Sequence, residues 1–185
     1  MKIDKIMEQF FDFTDGIRVL MLMHRKKEGG NDRNKHCLKR ISRNREDFEH
    51  ILNEFKEIIE KSKIPYRIYS TVNERCIRKA IKVFKINQVN AEYEKDNDFY
   101  VDISNRFISA LMQPESKAEK CFMIDLDTKE EVEVEKLEKI LYGVVGRNLF
   151  KYETKNGFHF IAPPFDVRSV SGYSLNKDGL ILLYF

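Results

Sequence analysis

The chain has 185 residues, 42% of them hydrophobic and 34% charged, with a formal net charge of +3. That balance fits one soluble globular domain over residues 1–185, large enough to bury a substantial core. The three cysteines, Cys37, Cys76 and Cys121, are too scattered for a disulfide framework or a CxxC pair. No apolar run reaches the roughly 18 residues of a membrane span, and the start Met-Lys-Ile-Asp-Lys lacks a signal-peptide core. The expected setting is cytoplasmic and reducing, with no membrane partner.

In chain order, Ile3, Ile6, Phe10 and Phe11 predict a short helix over 2–13. Ile17–His24 is rich in Val, Leu and Met and reads as a buried strand. Residues 26–36 are rich in Gly, Asn and basic groups and read as a mobile loop; Leu38–Ser42 follows as a short strand. Asn44–Lys61 is a helix, with Phe48, Ile51, Leu52, Phe55, Ile58 and Ile59 at helical spacing, Asn44 as N-cap and Pro65 beyond its end. Tyr66–Val72 alternates like a strand, and Asn73 is placed to cap a helix over roughly 74–86.

Phe99–Met112 reads as helix up to Pro114. Phe122–Asp127 is an apolar strand ending in carboxylates. Val132–Tyr142 is helical with Gly143 as its stop. Phe150–Thr154 and Phe158–Ala162 flank Lys155-Asn156-Gly157, a hairpin turn signal. Leu180–Phe185 is a final buried strand. This order predicts an α+β fold, a mixed or antiparallel sheet covered by helices.

Three constellations carry chemistry. Asp125 and Asp127 lie two apart on a strand and so project to one face. Two neighbouring carboxylates repel unless a cation joins them, and oxygen ligands suit Mg²⁺ or Mn²⁺. His159 follows the Asn156-Gly157 turn and points away from Phe158 and Phe160. With Thr154, Lys155 and the turn amides it forms a phosphate-friendly surface. Arg67, Tyr69 and Thr71 share a strand face. Asn73, Arg75, Arg78 and Lys79 gather at the next helix N-terminus, whose free N–H groups and dipole suit an anion.

Between Arg25 and Arg45, nine basic residues face two acidic ones, a local charge of +7. Arg25, Lys26, Lys27, Lys39, Arg40 and Arg43 are the expected contacts to a nucleic-acid backbone. Arg168 is placed either to close the site or to pair with Asp166.

The apolar strand ending in Asp125-x-Asp127, followed by the strand bearing His159, resembles the archaeo-eukaryotic primase superfamily, the primase-polymerases. The likeness covers Phe122–Phe165, with Tyr66–Lys79 as an upstream substrate element. It implies an RRM-like sheet and nucleotidyl transfer on nucleic acid with two divalent metals. Asp125 and Asp127 would be metal ligands, and His159 the contact to the incoming nucleoside triphosphate. A replication partner and a phage or mobile-element setting are further implications.

The family's third acidic strand has no counterpart, because Leu180–Phe185 carries no carboxylate. Asp166 sits in a Pro-Pro loop and Asp178 before a turn glycine. That departure leaves two alternatives: a catalytically reduced protein that binds nucleic acid or nucleotide, and an interaction or inhibitor protein.

Overall fold

The computed structural model describes residues 16–24 and 37–184. The helix expected at 2–13 and the loop at 26–36 lie outside them. The fold is α+β, but the strands form two antiparallel sheets rather than one.

The first sheet contains β1 (Arg18–His24), β2 (Cys37–Ser42), β3 (Tyr66–Thr71) and β8 (Leu180–Tyr184), in the order β2-β1-β3-β8. The second contains β4 (Phe122–Leu126), β5 (Phe150–Glu153), β6 (Phe158–Ala162) and β7 (Ser174–Asn176), in the order β5-β6-β4-β7. The four α-helices among the described residues are α1 (Arg45–Lys61), α2 (Ile77–Glu94), α3 (Ile103–Leu111) and α4 (Glu131–Val145).

The alternation of each strand assigns its faces. Leu20, Leu22, Ile68, Ile181 and Leu183 meet the buried stripe of α1, Phe48, Ile51, Leu52 and Phe55. Each such side chain contributes roughly 1.5–3 kcal/mol by leaving water. On the opposite face, Val19, Met21 and Leu180 meet Ala80 of α2 and Ile108 and Leu111 of α3. In the second sheet, Ile124, Leu126 and Phe160 meet Val134, Leu137 and Leu141 of α4. Met123, Tyr152 and Ile161 of that sheet instead join the core under the first, so the two sheets share a core.

The helix ends agree with the expectation at α1 and depart from it elsewhere. Asn44 caps α1, its side chain accepting from the Asp47 N–H at 2.8 Å. α2 starts at Ile77 rather than 74, because Arg75 is held in extended bridges to Ile17 and Lys117. Asn73 therefore caps no helix. α4 runs through Gly143 and stops at Gly146, which has φ +62°. A glycine inside a helix costs only about 1 kcal/mol, whereas the left-handed turn is what ends the helix.

The seam between the sheets is polar. Arg75, 1% exposed, donates to both Asp178 oxygens, at 2.6 and 3.1 Å. Lys117 Nζ lies 3.6 Å from the same carboxylate and donates to the Lys177 carbonyl at 2.7 Å. Buried Asn73 donates to Asp178 and the Cys121 carbonyl, and accepts from the Cys121 N–H at 2.5 Å. These bonds join the end of β3, the approach to β4 and the β7–β8 turn.

Arg75→Met would leave Asp178 without its two-pronged partner. It is expected to lower the unfolding free energy by about 3 kcal/mol, the low end for a broken buried pair, because Asp178 is 22% exposed. Arg75→Lys should cost less. Denaturant melts check this, and unchanged stability in both variants would contradict the seam's role.

Candidate functional site

The register of the second sheet places one polar row across it. Tyr152 pairs with His159, His159 with Asp125, and Asp125 with Ser174, on four adjacent strands. Directly opposed residues share a face, so this row points where Met123, Ile161 and Asn176 point, away from α4. His159 Nε2 lies 3.1 Å from Asp125 Oδ1, and the Tyr152 hydroxyl is hydrogen-bonded to His159 Nδ1. The Tyr152 and His159 rings meet edge to face at 5.0 Å.

The row opens into a cleft of about 440 Å³ between the two sheets. Asp125 and Asp127 line it from β4 and the residue after it. Thr154, Lys155, Asn156 and His159 line it from the β5–β6 hairpin, and Arg67 and Tyr69 from β3. Asn176, Asp178 and the start of β8 complete the wall. Seven residues singled out from the sequence (Asp125, Asp127, His159, Thr154, Lys155, Arg67 and Tyr69) therefore meet in one cavity.

Asn73 and Arg75 do not reach the cavity as anion ligands. Both are 1% exposed, and their side chains bind the seam groups described above. Lys79 donates to the Lys117 carbonyl at 2.7 Å. Thr154 is partly committed as well, its hydroxyl accepting from the Gly157 N–H at 3.2 Å. Arg168 pairs with Asp166 on the surface, and that pair holds the Asp166 carboxyl below its ordinary range.

The basic block divides. Arg25, Lys26 and Lys27 lie outside the described residues. Lys39 pairs with Met21, which pairs with Tyr69, so Lys39 shares the cavity's sheet face. Arg40 turns to the other face and bonds Glu54 of α1 at 3.2 Å. Arg43 is exposed just beyond β2.

Two residues that sequence reasoning missed or set aside help shape the site. Tyr152 is 7% exposed and held neutral, its ionisation pushed far up chiefly by burial. Its signal lay in hairpin counting: pairing Glu153 with Phe158 puts Tyr152 opposite His159. Asp178 lines the cleft, yet Arg75 and Lys117 hold its carboxylate. Among the described residues, no three His, Cys, Asp or Glu side chains converge as ligands of one metal ion.

Gly157 is required by contact rather than by φ. A Cβ there would sit 1.8 Å from the Leu126 carbonyl oxygen and 2.8 Å from the Thr128 nitrogen. The hairpin loop thus rests on the backbone flanking Asp127. No family model matches this chain, and no curated protein or solved structure matches it. The likeness to primase-polymerases therefore rests on the two strand motifs alone.

Gly157→Ala is expected to destabilise by roughly 1–3 kcal/mol, as overpacking does, and to perturb the amide resonances of Asp127 and Thr128. Gly143→Ala, where a Cβ meets nothing within 4 Å, should be neutral or stabilise by up to about 1 kcal/mol. Thermal melts and amide spectra of the two variants check the contrast. Equal effects would contradict the contact.

Proposed function

We propose that the chain binds a metal–nucleoside triphosphate in the cleft and acts as a primase-polymerase-like nucleotidyltransferase on nucleic acid. One observation carries the reading: a carboxylate pair, an imidazole and the cationic residues Lys155 and Arg67 line the same cavity from both sheets. Carboxylates and cations side by side suit a ligand that is itself an anion bearing a metal cation.

The donor set fits Mg²⁺ or Mn²⁺. Asp125 and Asp127 offer oxygen, and such ions commonly bind through one or two carboxylates plus substrate phosphates and water. Asp125 and Asp127 would hold the ion, which would withdraw charge from the reacting phosphate and align the attacking hydroxyl. Lys155 and Arg67 would neutralise the polyphosphate tail, with His159 donating to one of its oxygens. Tyr69 would offer an aromatic face to a base. Lys39, on the same sheet face, would steer the template backbone.

A second reading, nucleotide binding without turnover, draws on Asp178. With that carboxylate held by Arg75 and Lys117, Asp178 is not placed as a third ligand beside Asp125 and Asp127. That fits one ion better than two.

Asp125→Asn is expected to lower Mn²⁺-dependent nucleotide incorporation on a primed template by roughly 100-fold or more, the scale of one electrostatic contact to the reacting phosphate. Its melting temperature should stay near that of the wild type. Undiminished incorporation in the variant would overturn the assignment. A wild type that binds Mn²⁺–nucleotide and yields no product would select the second reading.

A further inference from the structure

The Tyr152 hydroxyl lies at the end of a hydrogen-bond chain whose direction can be assigned. That hydroxyl is hydrogen-bonded to His159 Nδ1. On the other side of the ring, Nε2 faces the Asp125 carboxylate at 3.1 Å.

A neutral ring carries one proton. On Nδ1 it would leave the Nε2 lone pair facing the Asp125 carboxylate, which only accepts, and the buried phenol O–H without an acceptor at that ring. On Nε2 it makes each contact a donor meeting an acceptor: Tyr152 O–H to Nδ1 and Nε2–H to Asp125. Buried polar groups settle into arrangements that leave none unmatched.

We infer that Tyr152 is a positioning residue that fixes His159 as its Nε2–H tautomer, so that the ring presents a hydrogen-bond donor to the cleft. Packing supports a fixed role. Tyr152 is 7% exposed, sits in the core shared by the two sheets and meets the imidazole edge to face. Ionisation of the phenol, which would reverse the chain, is opposed by burial and by the nearby Asp125 charge.

The consequence for ligand binding rests on the function proposed above. In the metal-free protein the Nε2–H is spent on Asp125. A cation that takes Asp125 releases that N–H toward a phosphate oxygen, and Tyr152 keeps the ring from presenting a lone pair there instead. Metal and phosphate binding would then favour each other.

The test is ¹⁵N-histidine NMR on the metal-free full chain, at a pH where the His159 ring is neutral. The wild type is expected to show a protonated Nε2, an acceptor-type Nδ1, and a slowly exchanging Tyr152 hydroxyl proton close to the His159 ring. A proton on Nδ1 in the wild type would overturn the proposal without recourse to any variant.

Tyr152→Phe should remove the hydroxyl proton and move the Nδ1 resonance toward that of an unbonded ring nitrogen. An unchanged Nδ1 resonance would also overturn the proposal. The same variant should weaken binding of Mn²⁺ with a non-hydrolysable nucleoside triphosphate by about fivefold, the scale of one neutral hydrogen bond. If the wild type gives the expected spectrum but binds no Mn²⁺–triphosphate, the tautomer assignment stands and the reading of the cleft fails.

Discussion

The bidentate contact between buried Arg75 and Asp178 is what the rest of the structure depends on. The two sheets share no ladder hydrogen bonds in the strand order. Their relative position is set by the shared core and by this polar seam. Arg75 follows β3, Asp178 precedes β8, and Asn73 ties both to the approach of β4 through Cys121. Apolar packing alone tolerates some sliding. A planar guanidinium fork on a carboxylate does not, because both bonds must be made at once.

The cleft exists because of that fixed offset. Asp125 and His159 come from the second sheet, Arg67 and Tyr69 from the first. The β5–β6 loop reaches the same space because Gly157 lies against the Leu126 carbonyl. Within the second sheet, antiparallel register aligns Tyr152, His159 and Asp125 in a row across three strands. Rigid strands thus carry the candidate chemical groups, and a short loop brings Lys155 beside them.

Much of this could be read from the sequence, for physical reasons. Period-two alternation placed Asp125 and Asp127 on one face, and the turn chemistry at Asn156-Gly157 set His159 just beyond it. Helical spacing found α1 nearly to the residue. Other features were ambiguous at the level of single residues. A helix-capping Asn and a buried Asn that bridges two strands use the same atoms, so Asn73 was misplaced. Arg75 looked like an anion ligand because nothing local shows that a carboxylate 103 positions later will hold it. The division into two sheets was hidden for the same reason: strand periodicity reports faces, not partners. The short strand Ser174–Asn176 was missed because its pattern is polar and brief.

The proposed site draws its residues from two sheets locked by the seam and would take a metal-bound nucleoside triphosphate. The most direct measurement is a crystal structure grown with Mn²⁺ and a non-hydrolysable nucleoside triphosphate, with data collected for manganese anomalous scattering. The expected result is an anomalous peak held by Asp125 and Asp127, with phosphate oxygens against Lys155 and His159 and the Arg75–Asp178 contact unchanged. A peak at Asp178 with Arg75 displaced, or a nucleotide bound outside the cleft, would contradict it.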